Sequence, residues 1–235
     1  MPKLDASSAS QESSQKSYAQ TAFKAPAGAT EILLVRHGAS QVFVPGGPFP
    51  MLDGQGDPAL SPEGHEQAKL VGERLAGEPA TAAYVSTLQR TAQTASPFLD
   101  HSGLTASVKP DLREIFLGEW EGGLSRIKMT ERTDPVAIKV FETGRWDHVP
   151  GAENFQDFSA RCMKSLREIA AAHPDGKVVA FVHGGVIGAI ATAIMAAEPR
   201  WMSVDNCSIS HVVATENQFM LKSFNDTAHL GPTFT

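Results

Sequence analysis

The sequence lacks the features that mark several special classes of protein. It has two cysteines in 235 residues, Cys162 and Cys207, with no Cys-x-x-Cys motif beside them, so neither a disulfide framework nor a zinc site is predicted. No segment approaches the roughly 20 apolar residues that span a bilayer. The formal net charge is −6, which gives no basic surface for nucleic acid or an anionic membrane. We therefore expect a cytoplasmic protein with neither nucleic acid nor membrane as partner.

The composition is that of one ordinary globular domain, with 42% hydrophobic and 20% charged residues. Residues 1–28 are rich in Ser, Gln and Ala and contain no apolar stretch of the kind a secretory signal needs. We expect them to form a disordered N-terminal tail. The folded unit is then predicted to comprise residues 29–235.

Short apolar runs alternate with segments of helical periodicity along this unit. Strands are predicted at 32–35, 82–86, around 108 and at 178–182, helices at 61–77, 88–99, 153–172 and 185–197, and a hairpin at 209–224. Pro97 is expected to kink or shorten the second helix. This alternation predicts βαβ units and a mostly parallel sheet.

Two segments are predicted to lie outside this layered pattern. Residues 44–58 are rich in Gly and Pro, and we expect a loop without regular structure that is long enough to be functional. Residues 124–150 contain short helical pieces and are predicted to form a cap over a site. Six apolar side chains in or near these regions are candidates either for an apolar pocket or for core and lid packing: Phe43, Val44, Phe49, Met51, Trp120 and Trp146.

Two of the predicted buried strands end in the same way, with Arg36-His37-Gly38 and with His183-Gly184. The carboxyl ends of parallel strands form the edge at which α/β sheets bind ligands, so the two imidazoles are expected to meet there. Each glycine would let the backbone approach a ligand closely. Either histidine taken singly would more often be structural, but the pair beside Arg36 favours a functional site.

The charge of this group favours an anion over a metal. Arg36 repels a cation, and Arg90, at the start of the second predicted helix, is placed to reach the same edge. A cationic cage and an in-line nucleophile supply most of what phosphoryl transfer requires, and neutral His37 is a competent nucleophile. Glu114 lies in an apolar stretch that could raise its pKa and make it a general acid, although a solvated loop acid is the alternative interpretation.

Five segments, taken in order, resemble the signature of the histidine phosphatase superfamily, also called the phosphoglycerate mutase-like family. They are residues 34–38 (LVRHG), 60–68, 86–95, 112–122 and 181–185 (FVHGG). The resemblance implies a three-layer α/β sandwich with a mostly parallel central sheet, helices on both faces and a small cap over the carboxyl edge. It further implies that His37 is the phosphorylated nucleophile and that Arg36, Arg90 and His183 bind the phosphoryl group. Glu114 would donate a proton to the leaving group, with no metal or other cofactor.

Departures from the family pattern favour its phosphatase branch. Ala39 and Phe43 occupy positions where the mutases tend to carry Glu and Asn, and the cap offers only the isolated Arg126 and Arg132 instead of a paired arginine. Gly188 stands where many of the phosphatases have Arg, so no specific substrate is implied.

The sequence thus predicts a phosphomonoester hydrolase that acts on a small phosphorylated metabolite through a phosphohistidine and releases inorganic phosphate. Gly38 and Gly184 are predicted to lie against the substrate, and a homo-oligomer is compatible with the sequence. Two alternatives remain open, a mutase-type phosphotransferase and a phospho-ligand-binding protein of the same fold with little turnover.

Overall fold

The computed structural model describes residues 18–231, so most of the predicted tail, residues 1–17, lies outside the described residues. The strands are β1 (Thr30–Arg36), β2 (Met51–Leu52), β3 (Gln55–Gly56), β4 (Ala82–Val85), β5 (Ala106–Val108), β6 (Lys177–Val182), β7 (Ile209–Ala214) and β8 (Phe219–Asp226). The α-helices are α1 (Pro62–Leu75), α2 (Gln89–Ser102), α3 (Leu124–Glu131), α4 (Pro135–Thr143), α5 (Phe155–Ala172) and α6 (Gly184–Ile194). No helix within residues 18–231 is long and apolar enough to cross a membrane.

The central sheet has six strands in the order β5-β4-β6-β1-β7-β8. Strands β1, β4, β5 and β6 run parallel, while β7 is antiparallel to both of its neighbours. Arg36 at the end of β1 is paired in register with Val182 at the end of β6. The next residues of the two strands, His37 and His183, therefore leave the sheet side by side.

Alternating side chains of the central strands build two cores, one on each face of the sheet. On one face, Ile32 and Leu34 pack with residues of α5 and α6. On the other, Leu33 and Val35 pack with residues of α1 and α2. The predicted three-layer sandwich with helices on both faces is confirmed.

The predicted cap consists of short helices and has a small core of its own. Trp120, Ala137, Val140 and Val149 are buried together there. Trp120 is therefore a packing residue and not part of an apolar ligand pocket. The separate core lets the cap hold its shape over the carboxyl edge of the sheet.

Two local predictions are corrected. Pro97 does not shorten helix α2, which continues to Ser102 and packs tightly on α1: a Cβ atom built on Gly72 would lie 2.8 Å from the Cβ of Pro97. The passage 44–58 contains the hairpin of β2 and β3, which turns at Asp53-Gly54 with positive φ angles of 52° and 80°. That pair of angles is typical of a type I′ turn, for which Asp-Gly is a favoured sequence.

Candidate active site

All five predicted catalytic side chains lie at the carboxyl edge of the sheet. Arg36, His37 and His183 come from the ends of β1 and β6, Arg90 from the first turn of α2, and Glu114 from the loop that follows β5. The imidazole rings of the two histidines are 5.2 Å apart between centroids.

His37 is held in one tautomer. Its Nδ1 lies 2.8 Å from the carbonyl oxygen of Gly38, which can only accept, so Nδ1 carries the proton. Arg90 Nε donates to Nε2 at 3.1 Å, so Nε2 presents a lone pair. Burial, together with the positive charges of Arg90 and Arg36, holds the pKa of His37 well below its usual value of 6.5. The ring is therefore a neutral base or nucleophile near pH 7.

His183 is fully buried, and Ser86 fixes its orientation. Ser86 Oγ lies 2.8 Å from His183 Nε2, which leaves Nδ1 buried with no hydrogen-bond partner among the described residues. Burial and the charge of Arg90 also hold the pKa of His183 well below its usual value. A buried polar atom without a partner is costly, so Nδ1 is suited to a ligand oxygen.

The Arg36 guanidinium contributes a second unpaired donor. Its Nη1 donates to the carbonyl of Val204, while Nε is buried with no partner in the described part of the chain. A Cβ atom built on Gly184 would lie 3.3 Å from Nε. The bare backbone of Gly184 thus keeps the space beside this donor open, which suits its predicted place beside the substrate.

Arg90 is fixed by the hairpin of β2 and β3. Its Nη1 donates to the carbonyl of Gly56 at 3.1 Å and lies 3.9 Å from Asp57 Oδ1. Asp57 in turn accepts from the backbone N–H of Gln89. Burial lowers the pKa of Arg90 to about 10, so the side chain stays positive at neutral pH. The passage 44–58, which is long enough to be functional, therefore contributes to the site through this contact with Arg90.

The Glu114 carboxyl lies at the N-terminus of α6. Its Oε2 accepts from the N–H of Gly185 at 3.1 Å, and Oε1 accepts from the N–H of Ile115 at 3.0 Å. A Cβ atom on Gly185 would clash with Oε1, so Gly185 is required for this approach. Of the aromatic residues that follow Glu114 in the apolar stretch, Phe116 is exposed and Trp120 is buried in the cap core.

The loop that carries Glu114 is held by Arg161 of α5. The guanidinium donates to the carbonyls of Asp111, Arg113 and Glu114, and forms an ion pair with Glu153 at 2.7 Å. Arg161 is not predicted from the sequence, because nothing in the helical periodicity of α5 distinguishes it from other polar residues.

Two further residues attach the β2–β3 hairpin to this loop, and neither is predicted from the sequence. Gln55 donates to the carbonyls of Glu114 and Ile115, at 2.9 and 3.1 Å. Glu121 accepts from the N–H groups of Gly56 and Leu117.

Gly38 allows helix α1 to pack closely against the end of β1. A Cβ atom on Gly38 would lie 2.5 Å from the carbonyl oxygen of Gly64. Its N–H donates to Thr94 Oγ1 at 3.0 Å. A role in substrate binding is therefore still only a prediction for Gly38.

Two cavities meet at the site, and both border Arg36 and Glu114. The first, which we call the polar chamber, has a volume of about 230 Å³ and is also lined by His37, Arg90 and Arg126. The second, which we call the apolar chamber, has a volume of about 260 Å³. Its aromatic and thioether lining residues are Trp146, Phe155, Phe158, Trp201 and Met202.

The residues predicted for an apolar pocket are divided between several environments. Trp146 lines the apolar chamber and Phe49 the polar one. Phe43 packs edge-on against Phe49, while Val44 and Met51 are exposed. Within residues 18–231 there is no cluster of three or more His, Cys, Asp or Glu side chains that could hold a metal ion.

The chain is similar to known proteins over nearly all of its described length. A family model described as the histidine phosphatase superfamily (branch 1) matches residues 32–227. A metal-independent phosphoserine phosphatase from Arabidopsis thaliana is 31% identical over 205 residues, which cover 86% of this chain and 83% of the relative. A probable phosphoglycerate mutase from Yersinia enterocolitica is 29% identical over 215 residues, which cover 85% and 94% of the two chains.

Solved structures support the fold. A mycobacterial glucosyl-3-phosphoglycerate phosphatase superposes with a TM-score of 0.69 at 24% identity, over 85% of this chain and all of the other. Bacillus stearothermophilus YhfR superposes with a TM-score of 0.73 at 24% identity, over 86% of this chain and 100% of the other.

Proposed function

This chain belongs to branch 1 of the histidine phosphatase superfamily, and from that membership we propose that it is a phosphomonoesterase that works through a phosphohistidine at His37. The observation that carries the proposal is the tautomer of His37. Its proton is held on Nδ1 by Gly38, so the lone pair of Nε2 lies inside a cluster of buried donors. A neutral nucleophile among cations is suited to an anionic phosphorus centre.

In the proposed reaction Arg90 Nε transfers its hydrogen bond from His37 Nε2 to a phosphoryl oxygen, which frees the Nε2 lone pair for attack. The other phosphoryl oxygens accept from Arg36 Nε and from a proton on His183 Nδ1. His37 Nε2 attacks phosphorus, a P–N bond forms, and the P–O bond to the leaving group breaks. Glu114 gives its proton to the departing oxygen. Water then attacks phosphorus, Glu114 takes a proton from that water, and the P–N bond breaks to release inorganic phosphate.

The chambers and the cationic side chains also support a substrate class and a reaction without a metal. A small phosphorylated metabolite suits chambers of this size, and the cationic side chains of the chain itself take the role that a metal has in other phosphatases, so we propose a metal-independent reaction without a cofactor. A cytoplasmic location is supported by Cys162 and Cys207, both buried as free thiols.

A mutase-type phosphotransferase is the second candidate, favoured by the position of Arg126. This cap residue lines the polar chamber, donates to Ser40 Oγ at 2.9 Å and lies 5.4 Å from the Phe49 ring centroid. A guanidinium there could hold the carboxylate of a sugar acid. Arg132 does not complete a pair, because it packs on the Phe141 ring and does not line that chamber.

The deciding experiment combines turnover with trapping of the intermediate. The purified protein is assayed with and without EDTA on a panel of phosphomonoesters, and acid-labile ³²P is counted on quenched protein. We expect phosphate release unaffected by EDTA and label on the wild type. His37→Ala should lose both, while His65→Ala, at an exposed position of α1, should keep both. Label on His37→Ala would refute the nucleophile, and transfer to a second hydroxyl would establish the mutase.

A further inference from the structure

The apolar chamber has few polar groups to offer a ligand. Its aromatic side chains are supplemented by Ile115, Leu117 and Val204, whereas its polar side chains away from the phosphoryl site are Thr192, Arg200 and Ser203. Arg200 is exposed to solvent. A sugar with several hydroxyl groups would find only these three polar side chains, whereas an apolar group would contact the aromatic walls.

The chamber lies on the leaving-group side of the phosphoryl site. In-line displacement puts the leaving oxygen on the side of phosphorus opposite to the attacking nitrogen. The polar chamber is lined by His37, whereas the apolar chamber is lined by Arg36, Glu114 and Gly184 but not by His37. The side chain that would protonate the leaving oxygen thus borders a space from which the nucleophile is absent.

Gly188 keeps this space open. It lies in α6, one turn after Gly184, and lines the chamber. A Cβ atom built there would have a single neighbour within 4 Å, Met202 Cε at 3.9 Å. Because the position is helical, a larger side chain would be tolerated by the backbone and would project into free volume.

We propose that the apolar chamber binds the leaving group, and that the preferred substrate is the phosphomonoester of a bulky apolar alcohol. This inference rests on the proposed phosphatase activity and adds its specificity. The aromatic walls remove the alcohol from water, and the open position at Gly188 sets how long a group fits. The volume of about 260 Å³ corresponds to roughly nine water molecules in the bulk liquid, which is enough for a chain of several carbons or a ring.

The test is the kcat/KM of a series of straight-chain alkyl phosphates from ethyl to hexyl. The leaving alcohols have nearly the same pKa, so the barrier of the chemical step stays constant along the series. Only the apolar area that the leaving group buries changes. Full burial of one methylene corresponds to about a fourfold gain. We expect hexyl phosphate to be preferred over ethyl phosphate at least tenfold, and Gly188→Leu to reduce that ratio to near one by lowering kcat/KM for hexyl phosphate.

Gly77→Leu is the matched control, since Gly77 follows α1 on the surface and a Cβ atom built there would have nothing within 4 Å. It should keep the wild-type ratio. Trp201→Ala, which removes an exposed wall of the chamber, is a second variant for the case in which Gly188→Leu does not fold, and it too should lower the preference for hexyl phosphate.

A wild type that releases phosphate from ethyl phosphate with no dependence on chain length would overturn the chamber assignment and leave the phosphatase intact. So would a Gly188→Leu protein with the wild-type ratio. Failure of the wild type on every ester would refute the proposed function itself.

Discussion

At the scale of single residues, the site contains buried polar atoms that have no hydrogen-bond partner in the described part of the chain. Arg36 Nε and His183 Nδ1 have no partner among residues 18–231, and Arg90 is directed at the lone pair of His37. Leaving such groups unpaired is unfavourable in the free protein. In the proposed function a bound oxyanion would satisfy them together, which would favour a phosphoryl group over a neutral ligand.

Substitution of Glu114 by Gln tests its role as the proton donor. A Gln side chain retains the size of the group but has no acidic proton to transfer, so kcat on alkyl phosphates should fall roughly 10²–10⁴-fold. Nitrophenyl phosphate, whose leaving group departs without a proton, should be affected much less. Steady-state rates on both esters measure this difference.

The control for that experiment is Glu119→Gln, a nearby exposed carboxylate that should leave both rates unchanged. An equal loss of activity on the two esters in Glu114→Gln would remove Glu114 from the proton-transfer step.

The two histidines also predict acid sensitivity of the fold. Each has its pKa lowered by burial and by Arg90, so below about pH 6.5 the unfolded chain binds protons that the folded chain does not. The free energy of unfolding should therefore be unaffected by these groups above pH 6.5. Below pH 6.5, each histidine should lower the free energy of unfolding by up to about 1.4 kcal/mol per pH unit, until the pH reaches its pKa in the folded state.

Urea unfolding between pH 7.5 and 5 measures that slope in the wild type and in His37→Gln. The pH dependence of the free energy of unfolding should be weaker in His37→Gln by the contribution of one proton. Exposed His65→Gln should match the wild type. His211 and His229, whose pKa values are also lowered by burial, contribute to both proteins equally, so the difference in slope isolates His37. Identical slopes would show that His37 is not neutral in the folded state.

At the scale of elements, the N-terminus of α6 joins the two halves of the mechanism. His183 precedes the helix, and the N–H of Gly185 in its first turn binds the Glu114 carboxyl. The helix dipole adds partial positive charge at the same place. In the proposed mechanism, one short segment thus positions both phosphoryl binding and proton transfer.

Gly185→Ala should separate these two tasks. The added methyl group would clash with Glu114 Oε1, so the carboxyl must move away while His183 and the arginines keep their places. We expect a loss of kcat on alkyl phosphates in the direction of Glu114→Gln, with vanadate or phosphate still bound. Calorimetry and steady-state rates measure the two effects.

Gly77→Ala, made where a Cβ has free space, should behave as wild type in both assays. Unchanged hydrolysis of alkyl phosphates by Gly185→Ala would mean that the observed contact between Gly185 and Glu114 is not needed for turnover.

The elements that could be predicted from the sequence are those whose pattern lies within a few consecutive residues. The apolar runs of β1 and β6, each followed by His-Gly, placed His37 and His183 at one edge, and the structure confirms the mostly parallel sheet. Asp53-Gly54 was a turn signal within 44–58, but strands of two residues are too short to show a period of alternation. The hairpin was therefore missed.

What the sequence could not show depends on partners distant in the chain. Arg161 holds carbonyls about 50 residues earlier, and nothing local distinguishes it from a surface arginine. Helix α2 passes Pro97 because Gly72 of α1 packs against it, so tertiary packing overrides the local tendency of proline to end a helix. Gly38 likewise has a packing partner, Gly64, that its neighbours in sequence do not indicate.

At the scale of the whole molecule, the cations are gathered in one place on an acidic chain. The net charge is −6, yet Arg36, Arg90 and Arg126 line the same chamber. Glu114 and Glu121 also line this chamber, so its arginines outnumber its carboxyl groups by one. A local excess of positive charge raises the concentration of anionic ligands at a site, which the proposed function requires on a chain of net negative charge.

The segment before β1 joins the body at the opposite edge of the sheet. Residues 18–29 include neither helix nor strand. The carbonyl of Pro26 accepts from the N–H of Ala29, which is buried, and the N–H of Gly28 donates to Asp175 Oδ1. The turn over 26–29 thus belongs to the folded unit, and a truncation that preserves it has to end before Pro26.

Deletion of residues 1–24 should leave catalysis unchanged and stability nearly so. It removes the Phe23 ring, 5.7 Å from Lys222 Nζ, and an exposed contact of this kind contributes about 0.5–1 kcal/mol, or no more than about 4 °C in Tm for a domain of this size. The seven residues of β1 separate the cut from His37 by roughly 20 Å. Turnover and thermal unfolding of the truncated protein measure both effects, and Phe23→Ala in the full chain isolates the part of the Tm shift that is due to this ring. Loss of cooperative unfolding, or a tenfold fall in kcat/KM, would show instead that the segment is part of the folded enzyme.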